Sequence, residues 1–130
     1  MTFKFSKSSI KNMQGVKEPL IKIAERALEI SNVDFGVPFD GGYRDEITQH
    51  NLFIKGRSKA DGRYKKSKHQ SGDALDFFAY VDGKATWDIV YMSQVASAFL
   101  QAAIDLDYKI QWGGLWKNFQ DLPHIELKDS

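Results

Sequence analysis

The reading of this chain turns on Ser67-Lys68-His69-Gln70-Ser71-Gly72-Asp73-Ala74-Leu75-Asp76, which a second stretch, Asp121-Leu122-Pro123-His124, completes far downstream. Together they hold two of the chain's three histidines. We read them as the halves of one catalytic zinc site, with His69, Asp76 and His124 as ligands and Asp121 as the base. A catalytic zinc keeps three protein ligands and leaves a fourth position for water, whose pKa falls to about 7. Gly72 lets the backbone turn after His69, because glycine alone enters positive φ without steric cost. Asp73 to Tyr80 then reads as a strand in which Ala74 and Asp76 share a face, the small Ala74 leaving room beside the carboxylate. A His and an Asp seven residues apart are, taken alone, common in globular chains. The specificity lies in the whole pattern.

Immediately upstream, Lys55 to Lys68 carries seven basic residues against one acid, Asp61, although the whole chain has a net charge of only +1. Such a loop either attracts an anionic polymer or is simply solvated. With one aromatic, Tyr64, and no basic global charge it does not make a nucleic-acid-binding protein, and no nucleic-acid partner is expected. The chain has no cysteine, which removes disulfides, thiolate metal sites and cysteine nucleophiles. Met1 to Met13 holds no apolar run of signal-peptide length, and no stretch approaches the roughly 20 apolar residues of a membrane span. Synthesis in the cytoplasm without a signal peptide is the expectation.

Farther out, the periodicities outline the rest. Glu18-Pro19 starts a helix that runs to about Ser31, with Leu20, Ile23, Ala24, Ala27, Leu28 and Ile30 on its core face. A short helical turn is expected around Ser8 to Met13, and a strand within Val33 to Tyr43. Asp45 to Lys55 reads as a capped helix whose apolar side is Ile47, Leu52 and Phe53, and Gly56 to Lys66 as loop. Val81-Asp82-Gly83-Lys84 is a hairpin signal. Ile89 to Asp105 is the longest predicted helix, with a stripe of Val90, Val95, Phe99, Leu100, Ala103 and Ile104. Lys109 to Trp112 and Pro123 to Leu127 complete the strands, the latter placing His124 and Glu126 on one face. The pattern predicts one α+β domain over residues 1–130, a small, mostly antiparallel sheet carrying the site and helices covering it.

The full pattern, Ser-x-His-x-x-Gly-x-Ala-x-Asp followed by Asp-x-Pro-His, resembles the zinc peptidoglycan peptidases. That family includes D-alanyl-D-alanine carboxypeptidases and L-alanyl-D-glutamate endopeptidases. Gly42-Tyr43-Arg44 with Gln49, Leu52 to Ser58, and Trp112-Gly113-Gly114-Leu115-Trp116 make it most similar to small phage endolysins of the endopeptidase kind. The resemblance implies a fold shared with Hedgehog signalling domains, zinc on His69, Asp76 and His124, Asp121 as general base, and Arg44 on the reacting carbonyl oxygen. It also implies a peptidoglycan stem peptide as substrate, action on the cell wall in host lysis, a monomer, and no separate wall-binding domain. Ser67, Glu126 and Trp112 are assigned supporting roles; Glu126 is the rival to Asp121 as base, and Trp112 and Trp116 are candidates to line the cleft. Leu115 departs from the pattern, since relatives usually carry Asp there.

Two alternatives lie close by: a D-alanyl-D-alanine carboxypeptidase, and a non-catalytic zinc-containing binding module on the same fold. A carboxypeptidase needs a dedicated cation for the terminal carboxylate. Arg44 is already assigned to the carbonyl, and the 55–68 lysines are expected to be exposed and mobile. An endopeptidase is therefore the expectation, with Lys68 as the residue that could serve the alternative. A binding module would need neither Asp121 nor Arg44.

Overall fold

The structure is a computed structural model that describes residues 3–128. Helix α1 (Lys7–Asn12) is followed by α2 (Glu18–Ile30), strand β1 (Asp34–Gly36) and α3 (Glu46–Ile54). Then come β2 (Ala74–Asp76), β3 (Phe78–Val81), β4 (Lys84–Thr86), α4 (Ile89–Asp105), β5 (Ile110–Trp112) and β6 (His124–Leu127). The α+β architecture is as the periodicities predict. Pro19 sits in the first turn of α2, where its missing N–H costs nothing.

The core lies between the α2–α4 pair and the strands. Leu20, Ile23, Ala24 and Ala27 of α2 face Met92, Val95, Ala96, Phe99, Ala102 and Ala103 of α4. The alanines bring the two helices close, and Phe99 meets Phe35 and Phe77 with ring centroids 5.1 and 5.3 Å away. This corrects the predicted stripe on α4. Val90 and Ile104 are 59% and 71% exposed. The buried face is centred on small residues, which a count of bulky side chains passes over.

The expected single sheet is two three-stranded antiparallel sheets, β1-β3-β4 and β2-β6-β5. The stretch from Asp73 to Tyr80, expected as one strand, changes sheets at the buried Phe77. Pro123 precedes β6 and has no N–H to extend the ladder, so the pairing of β2 with β6 stops at Asp76 opposite His124. The Phe77 N–H still reaches the Pro123 carbonyl at 2.9 Å, and from there the chain pairs with β1 instead. The strand expected within Val33 to Tyr43 is limited to β1, because a turn closed by Gly41 N–H on the Pro38 carbonyl (2.9 Å) follows it. The Asp82-Gly83 turn is as expected, with φ of +53° and +78°.

Helix α3 departs most from its predicted packing. Ile47 and Phe53 are exposed, and its one buried residue is the polar Gln49. Gln49 is buried because it has partners on both sides, described below.

Gly72 holds φ +76°, and a Cβ there would lie 2.6 Å from the Gly15 carbonyl oxygen. Gly72→Ala should therefore cost more than the roughly 1–2 kcal/mol of left-handed backbone alone. Urea denaturation would show it as a lowered midpoint; an unchanged midpoint would remove Gly72 from the list of fold-determining residues.

Candidate metal centre

The site is assembled from three pieces of chain. The first is a 3₁₀ turn, Lys68–Ser71, that presents His69. Ser67 caps it: its Oγ accepts the His69 N–H at 3.2 Å, and the Ser67 N–H is held by Gln70 Oε1 at 2.8 Å. Ser67 thus supports the site through the backbone of His69. The second piece is the β2–β6 pair, whose register sets Asp76 directly opposite His124 and Ala74 opposite Glu126. Side chains opposite one another on one face are within contact. The Ala74 methyl leaves room for Glu126, two residues along from His124, to turn back on the imidazole. The third piece is Gly42-Tyr43-Arg44, which runs beside His69 with the Arg44 N–H on the His69 carbonyl at 3.1 Å.

Both imidazoles have one nitrogen fixed and one turned to Asp76. His69 Nδ1 lies 2.8 Å from the Gly42 carbonyl, an acceptor only, so it carries the proton and Nε2 presents its lone pair. His124 Nε2 lies 2.8 Å from Glu126 Oε1, leaving Nδ1 on the inner side. Asp76 Oδ1 is 3.3 Å from His69 Nε2 and 3.4 Å from His124 Nδ1. That oxygen is buried and has no hydrogen-bond partner, while Oδ2 accepts from Arg44 Nη2 at 3.0 Å.

A buried carboxylate oxygen without a hydrogen bond is costly and calls for an occupant. Here the three free ligand atoms lie within 4.8 Å of one another, the one such group of three among the described residues. Two imidazole nitrogens and one carboxylate oxygen, each imidazole held from behind, form a donor set suited to a divalent transition metal.

The charges of the protein groups agree. Burial opposes ionisation of Asp76, yet the facing His69 and His124 outweigh it and hold the carboxyl far below the usual range. Burial would lower His124, but the carboxylates of Asp76 and Glu126 on either side of its ring push it up to about 9. Glu126 is lowered despite burial, mainly by its bond to His124. Asp121 moves the other way: burial and the nearby Asp76 charge raise it. Its Oδ2 is 4.0 Å from His124 Nδ1, and it keeps an open side to the cleft.

The cleft above these groups has a volume of about 430 Å³. Arg44 lines it in a fixed pose, with Nε on the Asp40 carbonyl (2.7 Å), Nη1 on Gln49 Oε1 (3.1 Å) and Nη2 on Asp76. Gln49 in turn donates to Ser58 Oγ (2.8 Å) and the Ala60 carbonyl (2.9 Å), tying Arg44 to the basic loop. Trp116 lines the cleft with its ring 5.2 Å from that of His124. Trp112 does not. It is buried in the core, where its indole N–H holds the Leu122 carbonyl at 2.7 Å, so its support reaches the site only through the backbone before Pro123-His124. A π-face and a large apolar body suit either place, and the alternation of β5 turns Trp112 inward.

Leu115 is 69% exposed, and His124 already has Glu126 behind it. His50 stands apart, holding the Asp61 carbonyl at 2.9 Å. Two contributors carry no side-chain signal at all, the carbonyls of Asp40 and Gly42. Gln49 had one, its place in the resemblance after Gly42-Tyr43-Arg44.

The family model for phage L-alanyl-D-glutamate peptidases matches residues 1–129. The chain belongs to that family. It is 38% identical over 133 residues to the L-alanyl-D-glutamate peptidase of Escherichia phage T5, covering 98% of this chain and 91% of that one. Identity is 31% over 120 residues to the peptidoglycan L-alanyl-D-glutamate endopeptidase CwlK of Bacillus subtilis (strain 168), with 84% and 72% covered. Among solved structures, the Serratia marcescens L-Ala D-Glu endopeptidase ChiX superimposes with a TM-score of 0.85 at 32% identity, over 97% of this chain and 90% of that one. The L-alanyl-D-glutamate peptidase fold is thus shared well beyond the two motifs.

If Glu126 holds His124 from behind, Glu126→Ala should weaken zinc affinity by roughly 10–100-fold without abolishing it. His69→Ala should abolish stoichiometric uptake. Competition against a chromogenic chelator reads both, and equal affinity in Glu126→Ala and wild type would refute the role given to Glu126.

Proposed function

We propose that this chain is a zinc-dependent peptidoglycan hydrolase that cleaves the L-alanyl–D-glutamate bond of stem peptides, acting as a phage or prophage endolysin in host lysis. The observation that carries the reading is the partnerless Asp76 Oδ1 between two imidazole nitrogens, at the floor of a cleft that also holds Asp121 and Arg44. Family membership supports the substrate class, and the names of the phage and bacterial relatives agree on the bond.

His69, Asp76 and His124 would hold the zinc, which when bound supplies a Lewis acid at neutral pH. Asp121 takes a proton from the attacking water and returns it to the departing amine. Its raised proton affinity suits that exchange, because a base works best with a pKa near the operating pH. Arg44 engages one hydrogen at each of its three nitrogens, and a guanidinium has five. The remaining donors serve the carbonyl oxygen as it gains charge, and the fixed pose means little reorganisation at that moment. Glu126 is occupied on both sides, by His124 and by Gln111 Nε2 at 3.0 Å, which suits a support and not a base.

One argument made from sequence for an endopeptidase over a carboxypeptidase does not survive. Lys55, Lys59, Lys65 and Lys66 are exposed, as expected, but the loop that carries them does not hang free and Arg44 is not the sole placed cation. Instead, hydrogen bonds hold the loop against the cleft, and Arg57, Lys59, Lys65 and Lys68 line it. The preference for the internal bond rests on the family.

Two outcomes are expected. Asp121→Asn should keep zinc and lose activity by roughly 10²–10⁴-fold, while Glu126→Gln stays active; the reverse pattern would exchange their roles. Digestion of purified peptidoglycan, with termini identified by mass spectrometry, should yield new N-terminal glutamate on the released stems. Free D-alanine without a new amino terminus would reject the endopeptidase.

A further inference from the structure

The 55–68 loop is more ordered than its composition suggests. Asp61 Oδ1 accepts the N–H groups of Arg63 and Lys65 at 2.9 Å each, closing a turn. Gly62 donates to the Lys65 carbonyl at 3.0 Å and accepts from Gln70 Nε2 at 2.9 Å. With Gln49 on Ser58 and Ala60, the loop is fastened at three points to the same elements that carry Arg44 and His69.

Arg57, Lys59 and Lys65 on this framework line the cleft with their charged ends exposed to it and to solvent. Among the described residues none of the three makes an ion pair. The acids of the same cleft are committed elsewhere: Asp76 to Arg44, Glu126 to His124, and Asp121 to the site itself. Lys59 lies 5.2 Å over the ring of Phe119 on the opposite wall, so its charge is held at the cleft mouth. Like charges fixed on one wall repel one another, and an anion arriving there relieves the repulsion and gains hydrogen bonds.

The chemistry of the substrate says where its anions are. In a stem peptide the residue on the amino side of an L-alanyl–D-glutamate bond is uncharged. The D-glutamate is joined onward through its γ-carboxyl, so its α-carboxylate is free and sits on the carbon that bears the scissile nitrogen. The negative charge therefore lies on the leaving-amine side, within a few bonds of the reaction.

Resting on the function proposed above, we infer that Arg57, Lys59 and Lys65 form a carboxylate-binding wall for the leaving-amine side of the stem peptide, which selects D-glutamate with a free α-carboxylate over its amide. The wall places the substrate in register over Asp121 and the metal ligands. It is a binding element, and its loss appears in KM before kcat.

The test uses two soluble stem peptides that differ only in a free or amidated D-glutamate α-carboxyl, with the zinc-loaded enzyme. Wild type should cleave the free form with the higher kcat/KM, and the preference should shrink with added salt. In the Arg57→Ala/Lys59→Ala/Lys65→Ala variant the free-to-amide ratio should fall roughly tenfold, the scale of one charge-assisted hydrogen bond. The loss should lie mainly in KM, and Lys59→Arg should retain the preference. Phe119→Leu, which removes the ring under Lys59 and keeps the charge, should lower the preference by less than the triple variant does. Equal cleavage of the two peptides by wild type, or an unchanged ratio in the triple variant, overturns the inference. So does a defect of the triple variant confined to walls bearing phosphate polymers, which would make the anion a wall phosphate. Cleavage of neither peptide by wild type overturns the proposed function itself, and the inference with it.

Discussion

The Asp76 carboxylate is the constraint on which the site depends. One of its oxygens is bound by Arg44, and the other is buried and faces two imidazole nitrogens. A charge so placed needs compensation from several directions at once. The surrounding structure supplies it: Gly42 orients His69, Glu126 orients His124, and Gln49 and Asp40 orient Arg44. Each partner comes from a different part of the chain, so the geometry around one carboxylate ties β2, β6, the turn before α3 and α3 itself together.

The two histidines solve the same problem with opposite nitrogens. His69 donates from Nδ1 to a backbone carbonyl, and His124 donates from Nε2 to a carboxylate. A carboxylate behind the ring makes the His124 imidazole more basic. Its position on a strand demands this arrangement. From β6 the ring reaches inward with its near nitrogen, while Glu126, two residues along on the same face, takes the far one.

Much of this was legible in sequence. His69, Asp76, Asp121 and His124 are side chains in a spaced pattern, and the structure brings them together. Helices α2, α3 and α4 begin and end close to where their start and stop signals place them. What was not legible has a common physical cause, because sequence patterns report side chains and not backbone partners. The change of sheet at Phe77 follows from a missing N–H at Pro123, more than forty residues away. The carbonyls of Asp40 and Gly42 carry no residue type that marks them. The stripe on α4 was misjudged because alanines that let two helices approach look weaker than an exposed valine or isoleucine. Gln49 was buried by its hydrogen bonds, against the expectation from polarity.

The division at Phe77 leaves the two sheets with separate tasks. Every strand residue of the centre lies on β2 or β6, and the β1-β3-β4 sheet contributes none of them. The Asp82-Gly83 turn ends that second sheet, and a Cβ on Gly83 would meet nothing within 4 Å. Extra chain added at this turn would enter open space, with the Phe77 crossing between it and the ligands. The molecule therefore has a natural graft point, where a targeting peptide or a whole partner module could be inserted without touching the chemistry.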